Sequence, residues 1–357
     1  MIENTEFRIE EPDLTSRYDV ELIRRFLLPM GFYFDPAEVE YSVLLYTLND
    51  EIIGVGSVQG KIMKYVAVAP SFRETGAFAR IVTHLTEHVM ERFKQAFVFT
   101  RPENITRFAG LGYKHIVSAE PLISVMEFGY KGIDDYKKYL KSIKVDHEMG
   151  SVAGIVMNCN PFTLGHQYLV EKASAANALV YLFVVEEDRS VIPFVHRWEI
   201  IKKGIAHLPN VVMVRGDEYI VSSATFPNYF LKNESPDMVT QKQAELDIRL
   251  FCEHIVPVLG IQSRYVGTEK YCATTKLYNR MMRDLLPANN ITFVEVPRKK
   301  ICDMDDGFIS ATKVREAIRD GREGELDGLL PVTTLDYIHS DLFREVKKRI
   351  QETVSRH

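Results

Sequence analysis

Met157-Asn158-Cys159-Asn160-Pro161-Phe162-Thr163-Leu164-Gly165-His166 follows an apolar run, Val152 to Met157, and precedes Gln167 to Ala176. The run predicts a buried strand. In the following segment Leu169, Val170, Ala173 and Ala176 share one face of a helix. The stretch is therefore a tight strand-to-helix loop at the carboxyl end of a strand, where open α/β sheets bind their ligands. Gly165 lets a phosphate approach the backbone, and the helix amino terminus offers free N–H groups and a positive dipole. His166 can add a hydrogen bond or a charge. The same Thr-x-Gly-His pattern also describes a Thr cap followed by a His packed at a helix start.

A second motif lies far downstream, Ile309-Ser310-Ala311-Thr312-Lys313-Val314-Arg315. Here too the chain enters a helix, with Ser310 as its cap. The hydroxyls of Ser310 and Thr312 and the guanidinium of Arg315 suit phosphate oxygens. Together the two motifs resemble those of the nucleotidylyltransferase superfamily, which pairs a (His/Thr)-x-Gly-His loop with an Ile-Ser-x-Thr-x-x-Arg turn.

The chain has 357 residues, enough for two domains with full cores. A formal net charge of -5 argues against a nucleic-acid binder. No apolar run reaches membrane-spanning length, so no membrane association is expected. Cys159, Cys252, Cys272 and Cys302 form no Cys-x-x-Cys pair, which fits a reducing cytoplasm and gives no zinc framework.

Residues 1–130 mix helix and strand. Glu21 to Met30 predicts a helix, Tyr41 to Leu48 and Glu51 to Gln59 a hairpin, and Ile62 to Val68 a further strand. A helix carrying Ile81, Val82, Leu85, Val89 and Phe93 follows, then a strand over Ala96 to Thr100 and a short helix near Phe108. This order resembles the N-acetyltransferase superfamily, in which an Arg/Gln-x-x-Gly-x-Gly/Ala loop binds the pyrophosphate of coenzyme A. Arg73 and Gly76 match its first half and are candidates for holding a CoA-like group. Phe78 stands where that family has Gly or Ala, and Glu74 adds a charge unfavourable to an anion. A retained domain without its own acetyl transfer is the expectation.

Residues 131–150 predict a linker with one amphipathic helix, Ile133 to Val145. From Ser151 strands and helices alternate. Strands are predicted at Val152–Met157, Leu179–Val185, Val211–Val214, Ser263–Val266 and Ile291–Val296, with helices including Arg197–His207, Gln241–Val256 and Thr275–Leu285. The expected fold class is thus α/β: an N-terminal N-acetyltransferase-like α+β domain, then a doubly wound parallel-sheet, Rossmann-like nucleotidylyltransferase domain over 151–357. Arg189 overhangs the first motif and reaches either a phosphate or acetate carboxylate, or pairs with Glu186 or Glu187. Arg197 is expected in a structural ion pair. Thr268, at another strand end, either touches the nucleotide or closes a turn. Asp303, Asp305 and Asp306 serve as caps rather than as metal ligands. Cys159 is a small buried residue rather than a nucleophile. Arg298-Lys299-Lys300 meets an acidic carrier or forms a solvated loop.

An N-acetyltransferase-like domain followed by a nucleotidylyltransferase domain resembles the [citrate (pro-3S)-lyase] ligase family over essentially the whole chain. The resemblance rests on Asn158 to His166, Val185-Glu186-Glu187-Asp188-Arg189-Ser190, Ile309 to Arg315, and Thr100-Arg101-Pro102-Glu103-Asn104. It implies that acetate attacks the α-phosphorus of ATP, giving acetyl-adenylate and pyrophosphate. The thiol of a phosphoribosyl-dephospho-CoA group on the citrate lyase acyl carrier subunit then takes the acetyl group and releases AMP, which switches citrate lyase on. Magnesium would arrive on ATP. On this reading His166 and Thr163 serve the α-phosphate, and Ser310, Thr312 and Arg315 the β- and γ-phosphates. Asn160, Pro161 and Phe162 pass under the nucleotide. Three other readings remain open: an adenylyltransferase acting on a phosphorylated small molecule, an N-acetyltransferase using acetyl-CoA, and a nucleotide sensor.

Overall fold

The computed structural model describes residues 7–146, 150–186, 190–220, 231, 234–269, 273–298 and 308–352. The chain divides into two compact units, Met1–Tyr136 with Phe226–Leu250, and Lys137–Thr225 with Phe251–His357.

The first unit holds β1 (Phe7–Glu10), α1 (Arg17–Leu27), β2 (Tyr41–Thr47), β3 (Ile52–Gln59), β4 (Ile62–Val68), α2 (Ala77–Arg92), β5 (Gln95–Thr100), α3 (Ile105–Ala109), β6 (Lys114–Ala119) and β7 (Ile123–Gly129). The division falls inside α4 (Ile133–Ser142). The seven strands run in the order β1-β2-β3-β4-β5-β7-β6. Ser16 caps α1 by accepting the Asp19 N–H, and Val20, Ile23 and Leu27 are its buried stripe. β4 and β5 are parallel but pair only at Ile62–Phe97 and Met63–Val98, so the two strands part beyond Met63. Of the strands, β1, β6 and β7 escape the sequence reading; β1 is only four residues long.

α2 lies on β3 through Ile81 and Leu85, and this close approach explains two glycines in β3. A Cβ on Gly54 would stand 2.5 Å from Ile81 Cδ1; one on Gly56 would stand 2.6 Å from Ile81 Cγ2 and 2.7 Å from Leu85 Cδ1. Phe78 turns into the same core and meets Phe108 edge-on at 5.0 Å. Packing thus accounts for an aromatic residue where the acetyltransferase pattern has Gly or Ala.

The second half of the chain contributes β8 (Val152–Met157), α5 (Leu164–Ala176), β9 (Leu179–Val184), α6 (Phe194–Gly204), β10 (Val211–Arg215), α7 (Pro236–Leu250), α8 (Val256–Leu259), β11 (Ser263–Gly267), α9 (Ala273–Ala288), β12 (Thr292–Val296), α10 (Ala311–Arg319), α11 (Val332–Ile338) and α12 (Arg344–Glu352). Its five strands are all parallel, in the order β10-β9-β8-β11-β12. Crossovers from β8 proceed outward to β9 and β10, and the chain then returns to the other side at β11. The order reverses between β8 and β11, which makes their carboxyl ends the topological switch point. One face of the sheet packs Ala153, Ile155, Val180 and Leu182 against apolar residues of α5, α6 and α10–α12. On the other face Gly154 lets Phe251 and Ile261 come close. The fold is α/β, as the alternation predicts.

α7 departs from that alternation. Sequence order puts it between β10 and β11, yet it packs on β6 and β7 and belongs with the first unit. Val239, Ala244, Leu246, Ile248 and Leu250 are buried there. Hydrophobic periodicity identifies such a helix but does not say which sheet its apolar face will cover.

Replacing Gly56 with Ala forces a methyl group against Ile81 and Leu85, at a cost of about 1–3 kcal/mol by overpacking. A thermal unfolding midpoint equal to that of the parent would show that α2 can move away from β3.

Candidate active site

The loop between β8 and α5 is irregular, with Cys159 at φ 55° and a cis Asn160–Pro161 peptide. Its polar groups are met from several parts of the chain. Arg197, fully buried on α6, donates Nη1 to the Asn158 and Val185 carbonyls at 2.6 and 2.7 Å, and Nε to the Ile192 carbonyl at 3.0 Å. It holds loop backbone, a structural role as expected of it. Asn158 Oδ1 accepts from Ser190 Oγ at 3.1 Å, and Asn160 Oδ1 from the Ile192 N–H at 3.1 Å. Thr334 on α11 donates its hydroxyl to the Phe162 carbonyl at 2.8 Å, and the Leu164 N–H reaches the Leu329 carbonyl at 3.0 Å.

Thr163 and His166 form a reciprocal cap on α5. The His166 N–H donates to Thr163 Oγ1 at 3.3 Å, while the Thr163 N–H donates to His166 Nδ1 at 3.0 Å. A backbone N–H aimed at Nδ1 requires that nitrogen to be unprotonated, which leaves Nε2–H as the free donor of a neutral ring. Burial, reinforced by the charge of Arg298, pushes the His166 pKa down to about 4. The ring lies parallel to that of Phe162 at 6.1 Å. The cap and the lowered pKa make His166 a neutral ring whose donor is Nε2–H.

Ser310 caps α10, its Oγ accepting the Lys313 N–H at 3.2 Å. The amino termini of α5 and α10 meet: a Cβ on Gly165 would lie 3.6 Å from both Ile309 Cγ2 and the Ile309 carbonyl oxygen. Arg315 joins the two motifs directly, donating Nη1 to the Asn160 carbonyl at 2.6 Å and Nη2 to Thr312 Oγ1 at 3.4 Å. Desolvation, and then the charge of Arg319, lower its pKa. Two helix dipoles and a half-buried guanidinium thus converge at the switch point, an arrangement that favours a polyanion.

Thr268 is engaged within the protein. Its Oγ1 accepts the Arg298 N–H at 3.1 Å, and its carbonyl accepts Arg298 Nε at 2.6 Å. Arg298 also pairs with Glu269. Glu269, beside Thr268 at a strand end, is legible in the sequence as facing the site; Arg298 is not, since its place next to Lys299 and Lys300 suggests a carrier-facing or solvated loop, whereas its side chain is largely buried against Thr268 and Glu269. Cys159 is buried beside Arg197, and burial raises its thiol pKa far above neutrality, against a nucleophilic role. Glu186 makes a two-point ion pair with Arg215, at 2.6 and 3.1 Å, and so is already engaged. Arg189, Glu187, Lys299, Lys300, Asp303, Asp305 and Asp306 lie outside the described residues. Among the described residues no group of three or more His, Cys, Asp and Glu side chains is arranged to hold a metal. In the first unit, Gly76 is the left-handed N-cap of α2 at φ 81°, without a side-chain cap and with open space before it; Arg73 is exposed nearby.

Residues 152–338 match the family model of the citrate lyase ligase C-terminal domain. The chain is 35% identical to a [citrate [pro-3S]-lyase] ligase of Haemophilus influenzae over 91% of its own length and 96% of that protein. A protein of the same name from Escherichia coli is 33% identical, covering 82% and 83% of the two chains. Among solved structures, a nicotinate-nucleotide adenylyltransferase from Vibrio parahaemolyticus aligns over 58% of this chain and 100% of its own, with 17% identity and a TM-score of 0.33. An N-acetyltransferase from Lactobacillus plantarum aligns over 35% and 99%, with 15% identity and a TM-score of 0.30. With its second-half core matched by the family model and its full-length relatives sharing one name, the chain belongs to the citrate lyase ligase family and is an enzyme, a ligase.

Proposed function

We propose that the enzyme activates citrate lyase by acetylating the thiol of a CoA-like prosthetic group on the lyase acyl carrier subunit, at the expense of ATP. The observation that carries this reading is the meeting of the α5 and α10 amino termini, bridged by Arg315, at the switch point. A carboxylate oxygen of acetate attacks the α-phosphorus, and the bond to the bridging oxygen breaks as pyrophosphate leaves. The carrier thiol, losing its proton, then attacks the acetyl carbonyl of acetyl-AMP and expels AMP. Acetate is ionised at neutral pH, so the first step needs no general base. Stabilisation of the phosphate charge provides most of the catalysis.

Within this reading each residue has a role its surroundings permit. His166 donates Nε2–H to an α-phosphate oxygen, and Thr163 fixes the tautomer that makes this possible. Ser310, Thr312 and Arg315 serve the leaving pyrophosphate. Asn160, Pro161 and Phe162 form the floor under the nucleotide, Gly165 keeps the approach to the α5 backbone open, and Thr268 borders the site through Arg298. Magnesium enters on the triphosphate, which supplies its oxygen ligands. Arg189 is assigned to acetate or a phosphate. Arg73 and Gly76, at the open amino terminus of α2, are assigned to the pyrophosphate of the CoA-like group.

Pyrophosphate release from ATP, with hydroxylamine present to trap the adenylate, should depend on acetate and need no carrier protein. Release that ignores acetate but requires a phosphorylated acceptor would replace this reading with a simple adenylyltransferase. Replacing His166 with Ala should cost turnover on the order of 3 kcal/mol while ATP affinity changes little. Equal losses in both would remove its transition-state role. Thr334→Val leaves the buried Phe162 carbonyl without its donor, and should destabilise the protein by about 1–3 kcal/mol in a denaturant titration.

The His166 ring, followed by NMR, should stay neutral until the pH approaches about 4. The unfolded chain takes up this proton near the ordinary histidine value of about 6.5. The group's contribution to stability is therefore complete above that value and is lost as pH falls through the folded pKa. A ring titrating near 6.5 in the native protein would contradict the buried cap.

A further inference from the structure

Arg298 follows β12, and each of its three side-chain nitrogens meets a protein oxygen. Nε meets the Thr268 carbonyl at 2.6 Å, Nη1 faces the Ile309 carbonyl at 3.5 Å, and Nη2 pairs with the Glu269 carboxylate. Its backbone N–H meets Thr268 Oγ1. The two charged side chains are only 20% and 10% exposed. One guanidinium thus ties together the loop after β11, the end of β12 and the residue before the Ser310 cap. Ile309 in turn stands at the start of α5, 3.6 Å from where a Cβ on Gly165 would lie, and the charge of Arg298 adds to the lowering of the His166 pKa. A partly buried ion pair repays its desolvation poorly, so stability alone explains it badly; its recognised use is to fix register.

We infer that Arg298, anchored by Glu269 and Thr268, is a positioning residue for the adenylation step: it sets the entry to α10 against His166 on α5, so that both motifs address one triphosphate. This deepens the proposed reaction and rests on it. Arg298 does not replace the phosphate ligands. Its three side-chain nitrogens are engaged with Thr268, Ile309 and Glu269, and it acts on phosphate through the Ile309–Ser310 backbone that packs on the start of α5. Among the described residues at this site, Glu269 faces Arg298 and Arg315 is held on the Asn160 carbonyl. After burial, the charge of Arg298 favours the neutral His166 ring and its Nε2–H donor.

The test compares the full-length chain with Arg298→Gln and Arg298→Lys, using three readouts: acetate-dependent pyrophosphate exchange, equilibrium binding of a non-hydrolysable ATP analogue, and His166 ring NMR. Assignment of the ring uses the spectrum of His166→Gln. In Arg298→Gln, exchange turnover should fall about tenfold or more while analogue affinity stays within about threefold, since misplacement taxes the transition state most. The ring should titrate at a higher pH than in the parent. Arg298→Lys should keep the parent titration, because the charge remains, yet still lose turnover, because a single ammonium cannot reproduce the planar fork. Analogue affinity falling in step with turnover would overturn the inference and make Arg298 a direct phosphate ligand. A lowered unfolding midpoint with an unmoved His166 titration would also overturn it, leaving a merely structural pair. If the parent itself shows no acetate-dependent exchange, the proposed reaction fails, while the titration and midpoint still judge the coupling of Arg298 to His166.

Discussion

Three backbone carbonyls, after β8, after β9 and before α6, accept from the buried guanidinium of Arg197. Asn158 and Val185 lie at the ends of two neighbouring strands, and Ile192 lies on the way into α6. Backbone carbonyls left dry and unbonded would cost more than such a loop could repay. A planar group with several fixed donors can meet three of them at once. Everything that follows in the chain, the reciprocal cap of Thr163 and His166 above all, starts from a loop whose path this side chain holds.

From that start the electrostatics follow from helix geometry. α5 and α10 present their unbonded N–H groups to the same place, because the start of α5 at Gly165 packs against Ile309 at the entry to α10. Positive potential there comes from backbone dipoles and Arg315, while His166 remains uncharged. A neutral donor keeps its hydrogen bond throughout the physiological range, and the Nδ1 acceptor it needs for Thr163 is preserved by the same burial that suppresses its protonation. The cap and the candidate phosphate contact are therefore two uses of one tautomer.

The parts of this site readable from the sequence are those whose partners are near in the chain. Thr163 meets His166 and Ser310 meets the N–H of Lys313 across three positions, so the capping pattern names both ends. The parallel order of the second sheet is legible for a similar reason, since alternating strands and helices leave few connections open. Arg197 bonds across 39 residues to Asn158, Arg298 across 29 to Glu269, and Thr334 across 172 to Phe162. No local pattern marks such pairs. The packing of α7 on β6 and β7 belongs with them, because an apolar helical face is compatible with either sheet.

Strand-loop-helix units, their caps and their glycines follow from periodicity and backbone preference within a few residues, so the chain's own order implied both the fold class and the two helix entries. Which of its many arginines would hold the loops, which would face the site, and whether His166 carries a charge depended on burial and on contacts closed by distant segments. Local sequence can place a cation or an imidazole at a strand end; only folding removes the water and supplies the partners that set its hydrogen bonds and its proton.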